Sequence, residues 1–117
     1  MSLQADFDHV WAKLTEQGVP SATPNGSCFY NGPNGTHCAL GHLFTKEELE
    51  TIPEGQNIFR LNDSHVLPHR FQENINFYAD LQQAHDDAAV FPTQFVEDLH
   101  LNLRRVGYFY GLKVPTS

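Results

Sequence analysis

The sequence predicts an α+β fold, mostly helical, in which three principal helices pack with a small β-hairpin. Three observations predict it. Apolar residues recur at helical spacing over three long stretches. A turn-rich stretch holding both cysteines separates two short segments that suit strands. The 117 residues, 40% of them hydrophobic, run without repeat, low-complexity tract or linker, which reads as a single domain over 1–117.

The first helix is expected over 3–17. Phe7, Val10, Trp11 and Leu14 fall at i, i+3, i+4 and i+7, Asp6 and Asp8 suit its positive end, and Gly18 and Pro20 stop it. The hairpin comes next. Asn25-Gly26, Asn31-Gly32 and Asn34-Gly35 are turn formers. A loop at 31–35 pairs Tyr30 with Thr36, Phe29 with His37 and Cys28 with Cys38. A shorter loop at 32–35 pairs Phe29 with Cys38 instead and exchanges the faces. Residues 39–44 read equally as a strand or a short helix. Thr45 and Glu48 form a capping box for a helix over 46–50, and Pro53-Glu54-Gly55 makes a turn. Residues 56–61 are ambiguous, with a short strand as one reading.

A second long helix is expected over 69–86, with Phe71, Ile75, Tyr78, Leu81 and His85 on one stripe. The third runs from Pro92 or Thr93 to Tyr110, burying Phe95, Val96, Leu99, Leu103 and Val106, with Gly111 just past its end. Phe7, Trp11, Phe71, Tyr78, Leu81, Leu99 and Leu103 are the expected core. One local rule is broken. Asp86 and Asp87 sit at the negative end of the 69–86 helix, which marks either a functional place or a carboxylate turning to cap the next segment.

Charge narrows the function classes. Seven Lys and Arg against 14 Asp and Glu leave a net charge of −7, which argues against nucleic-acid binding through a broad basic surface and suits a basic partner. No apolar run approaches the 18 or so residues of a membrane span, and the N-terminus does not read as a signal peptide. Two cysteines and no export signal place the chain in a reducing cytoplasm.

The stretch from Cys28 to Gly41, reading Cys28, Tyr30, Gly32, Pro33, Gly35, Cys38, Ala39, Gly41, resembles a motif of small uncharacterised phage and prophage proteins. Their pattern is Cys-x-Tyr-Arg-Gly-Pro-x-Gly-x-x-Cys-Ala-x-Gly, followed by a Glu-Gly pair and a Leu-Gln-x-x-His-Asp run. Glu54-Gly55 and Leu81-Gln82 through His85-Asp86 follow here in order. Asn31 stands where the pattern has Arg. The resemblance implies a phage origin, hence the host cytoplasm, and a helical domain with a hairpin. It implies no mechanism.

Three functional readings follow. The first is a non-enzymatic phage-type accessory protein, of inhibitor or counter-defence type, that binds a host or phage protein. Its contact residues would be Asn31, Pro33 and Asn34 at the hairpin tip, with Asp86 and Asp87 in an acidic patch. The second is zinc binding through Cys28, Cys38 and His42, with His37, His65, His69 or His85 as a fourth ligand. The bland counterpart is that both cysteines are small buried hydrophobes. The third is a cysteine-dependent hydrolase, with Cys38 activated at a helix start and His85 and Asp86 as base and orienter. Neighbouring residues of one helix point apart, which makes Asp86 a poor orienter for His85. The balance leans away from an enzyme.

Overall fold

The structure, a computed structural model, describes residues 2–23 and 28–115. Among them are six α-helices: α1 (Leu3–Gln17), α2 (Ala39–Leu43), α3 (Lys46–Thr51), α4 (Ile58–Asp63), α5 (Ile75–Ala88) and α6 (Phe95–Phe109). The Asn25-Gly26 turn lies outside the described residues.

The long helices form where the apolar spacing is helical. The Ser2 hydroxyl caps α1 by accepting from the Ala5 N–H at 3.0 Å, and Gly18 ends it at φ 72°, a left-handed conformation that glycine adopts without steric cost. α3 begins on the capping box, with Thr45 and Glu48 each bonding the other's backbone N–H. Helix α5 pairs with α6, α1 packs on α2 and α6, and α2 and α4 lean on α5. Phe7, Leu14, Phe71, Phe77, Leu81, Leu99 and Leu103 are fully buried in one cluster, with Trp11 and Tyr78 nearly so. Buried Asp6 is satisfied by the Tyr78 hydroxyl, which donates to it. No described helix is long and apolar enough to cross a membrane.

Two expectations are corrected. The fold class is not α+β with a hairpin: the described residues hold no strand, only isolated antiparallel bridges at Ala22–Cys28 and Asn31–His37. The bridge at Asn31–His37 matches neither expected register. A ladder needs the backbone donors of residues 29–37 to face each other across the pair. Here other groups take them. The Glu54 carboxylate accepts from the Tyr30 and Asn31 N–H groups at 2.9 and 3.1 Å, and Gln17 Oε1 accepts from the His37 N–H at 2.9 Å. The Phe29 N–H turns back to the Ser21 carbonyl at 2.9 Å. Pro33–Gly35 closes as a 3₁₀ turn, and Cys38 is already the N-cap of α2. The segment 56–61 is likewise no strand. Asn57 caps α4 there, accepting from the Arg60 N–H at 3.0 Å. The second long helix starts later than expected: residues 69–71 form a separate 3₁₀ turn before α5.

Candidate functional site: the Cys28–His85–Asp86 knot

The segment 28–31 lies against α5, and three side chains converge there. Among the described residues, Cys28, His85 and Asp86 are the one group of three His, Cys, Asp or Glu side chains whose ligand atoms lie within 4.8 Å of one another. His85 is fully buried on α5. Its Nε2 faces the Ser21 N–H at 3.0 Å and its Nδ1 faces Asp86 Oδ1 at 2.9 Å. A backbone N–H can only donate, so Nε2 carries the lone pair and Nδ1 the proton of neutral imidazole. The ring is thus held at both nitrogens. Adjacency in one helix does not keep His85 and Asp86 apart: Asp86 folds back to accept from its neighbour.

The Asp86 carboxylate also accepts from Gln82 Nε2 at 3.0 Å and from the Cys28 thiol. Neither Asp86 nor Asp87 is spent on the following segment, since Asp87 accepts from Gln83 Nε2 at 2.8 Å. Both bonds span four residues along α5, the spacing at which helix side chains meet. They offset the unfavourable placement of two carboxylates at a helix C-terminus.

Electrostatics quiets the thiol. Burial, and then the Asp86 charge and its hydrogen bond, push Cys28 up to about 12. At neutral pH roughly one thiol in 10⁵ is ionised. A nucleophile needs the thiolate and a base with a free lone pair directed at it, and both nitrogens of His85 are already engaged. The cleft beside the knot, about 320 Å³, is lined by Cys28, Phe29, Tyr30, Gln56, Gln82 and Asp86.

The donor set is a poor fit for a metal. A cation taking His85 Nδ1 displaces its proton to Nε2, where it would meet the Ser21 N–H head-on, donor against donor. Cys28, Cys38 and His42 do not form such a converging group among the described residues. Cys38 is fully buried, and its sulfur accepts from the Gly41 N–H at 3.4 Å. Burial raises its pKa, and the Gly41 N–H at the start of α2 only partly opposes that. His42 is half-buried and donates from Nε2 to Gln17 Oε1 at 2.9 Å. That tautomer follows because the same oxygen accepts the His37 N–H, so it is an acceptor. His42 lines a larger cleft of about 670 Å³ with His9, Lys13 and His37. Burial lowers its pKa to about 4, helped by His37, His9 and Lys13.

Asn31, Pro33 and Asn34 are exposed, as is Asp87, while Asp86 is half-buried in the knot and does not sit in an open acidic patch. Sequence reasoning missed Glu54, Gln17 and Ser21 as the groups that hold segment 28–37. Glu54, Gln82, His85 and Asp86 come from separate stretches of the chain and meet around Cys28 and Tyr30. Gln82 further accepts from the Leu40 N–H at 3.1 Å, tying α2 to α5.

No protein-family model, no curated protein and no solved structure matches this chain.

Proposed function

We propose that the chain is a non-enzymatic, phage-type binding protein that engages a host or phage protein through the tip at Asn31, Pro33 and Asn34. One observation carries the reading: the exposed tip is pre-organised by groups outside it. Glu54 holds the N–H groups of Tyr30 and Asn31, Gln17 holds His37, and the Thr36 N–H and hydroxyl both donate to the Pro33 carbonyl at 3.2 and 2.7 Å. A loop already fixed in one shape loses little conformational entropy on docking, which is where binding loops gain affinity. The raised Cys28 pKa and the engaged His85 ring support a non-enzymatic role.

The test places a photo-crosslinking amino acid at Asn31, and separately at exposed Glu73 on the turn before α5. Both proteins are irradiated in a bacterial host lysate. The reading expects one discrete adduct from the Asn31 probe and none from the Glu73 probe, with binding of the adducted protein weakened at least tenfold by Asn31→Trp. Equal background from both probes in folded protein overturns it.

A further inference from the structure

Helix α6 carries an outward stripe of which, among the described residues, Arg104 alone is seen to pack on a ring of its own fold. Its buried face is Phe95, Leu99, Leu103 and Gly107. Turned by half a revolution lie Gln94, Glu97, Asp98, Leu101, Arg104, Arg105 and Tyr108, none of them buried. Leu101 sits at the centre of this stripe and is 48% exposed; Tyr108 is 70% exposed. The two acids lie one turn before Leu101 and the two arginines one turn after it. Glu97 and Arg104, like Asp98 and Arg105, are seven residues apart, about 10.5 Å along the axis, too far to pair within one helix, where contacts span three or four residues. Among the described residues none of the four forms an ion pair. Arg104 rests over the Trp11 ring at 5.6 Å, and Arg105 lines a groove with Asp80 and Asp87 without bridging to either.

We infer that α6 is the interface of a homodimer, packed antiparallel against α6 of a second copy about a two-fold axis through Leu101. The occupant follows from charge complementarity. A two-fold axis there, perpendicular to both helices, reverses height along the helix and keeps the flank, so a residue before Leu101 meets the same-flank residue about as far after it on the other chain. Glu97 then meets Arg104, and Asp98 meets Arg105, of the other copy, each on one flank of the seam and each pair made twice. Leu101 meets its own copy, and Gln94 lies opposite Tyr108. The stripe is self-complementary in that arrangement, whereas a parallel pair would stack acid on acid and arginine on arginine. The same operation brings exposed Val90 and Phe91, just before α6, to the end where the second copy has Tyr108 and Phe109. About ten residues a side is short of the 20–30 of a standard interface, so the dimer is a reversible one of roughly micromolar affinity.

The test is sedimentation equilibrium on the full chain from about 1 to several hundred micromolar. Wild type is expected to show a concentration-dependent dimer. Asp98→Arg and Arg105→Asp are each expected to weaken it at least tenfold. A one-to-one mixture of the two variants is expected to recover it, because every Asp98–Arg105 position then again holds one acid and one base. A Leu101→Cys variant supplies a readout independent of charge. A residue on the axis faces its own copy, so a short bis-maleimide couples it into a dimer, while wild type, with only Cys28 and Cys38, stays uncoupled. A chain that remains monomeric across the range overturns the inference. So does a dimer indifferent to both charge changes, or one that the mixture does not restore.

Discussion

Replacing His85 with Phe isolates the role of the knot. The phenyl ring fits nearly the same space, beside Phe95 at 5.5 Å, but neither accepts nor donates. The Ser21 N–H, buried and pointed at Nε2, is then left without a partner, which costs about 1–3 kcal/mol. Asp86 also loses its Nδ1 donor. Its side chain is 34% exposed and recovers water, so that loss is nearer about 1 kcal/mol. The sum is about 2–4 kcal/mol, or a fall of about 8–16 °C in Tm for a chain of this length. His85→Gln can set its Oε1 where Nε2 stood and is expected to recover at least half. Urea and thermal unfolding, followed by far-UV circular dichroism and Trp11 fluorescence, measure both variants. If His85→Phe unfolds within about 0.5 kcal/mol of wild type, the imidazole is not what holds Ser21 to α5.

Two further outcomes follow from the packing and titration. Gly41→Ala is expected to destabilise by more than about 2 kcal/mol, because a Cβ there would overlap the Tyr30 carbonyl oxygen and come within 3.0 Å of His37 Cβ. At Gly35, φ is 74° and the space is open, so Gly35→Ala costs only the left-handed backbone strain of about 1 kcal/mol; equal losses in a denaturant series would contradict this. His42 has its pKa lowered in the folded chain to about 4 from 6.5. The unfolded chain therefore binds this proton first as pH falls, so the contribution is complete above pH 6.5 and is lost between 6.5 and about 4. Partial exposure limits it to about 1 kcal/mol, and His42→Gln should flatten that part of the stability profile.

What could be read from the sequence was whatever local spacing determines. α1, α3 and α6 were legible from Phe7-Val10-Trp11-Leu14, from the Thr45/Glu48 box and from the Phe95-Leu99-Leu103 stripe. α4 was not, because Ile58-Phe59-Arg60-Leu61 is too short an apolar run for periodicity to separate helix from strand. The hairpin was over-read for a different reason. Turn formers around Cys28-Phe29-Tyr30 satisfy every local rule for a ladder, but the ladder's donors are claimed by Glu54 and Gln17 from elsewhere in the chain. The site was half legible. Cys28, His85 and Asp86 were each singled out by the sequence, but the sequence reading set His85 and Asp86 beside Cys38. The cysteine that reaches Asp86 is Cys28, while Cys38 is buried as the cap of α2. Which of two cysteines meets a histidine some fifty residues away is fixed by tertiary packing, and no local pattern carries it.

The titration of Cys28 bears most directly on the knot as a closed structural device. Alkylation by iodoacetamide across pH, read at Cys28 by peptide mass spectrometry, should rise only towards pH 12 and at neutral pH should run roughly a thousandfold slower than for an ordinary thiol. Rapid alkylation at pH 7–8, with half-ionisation at or below the ordinary cysteine value, would mean a reactive thiolate beside a free imidazole and would contradict the account.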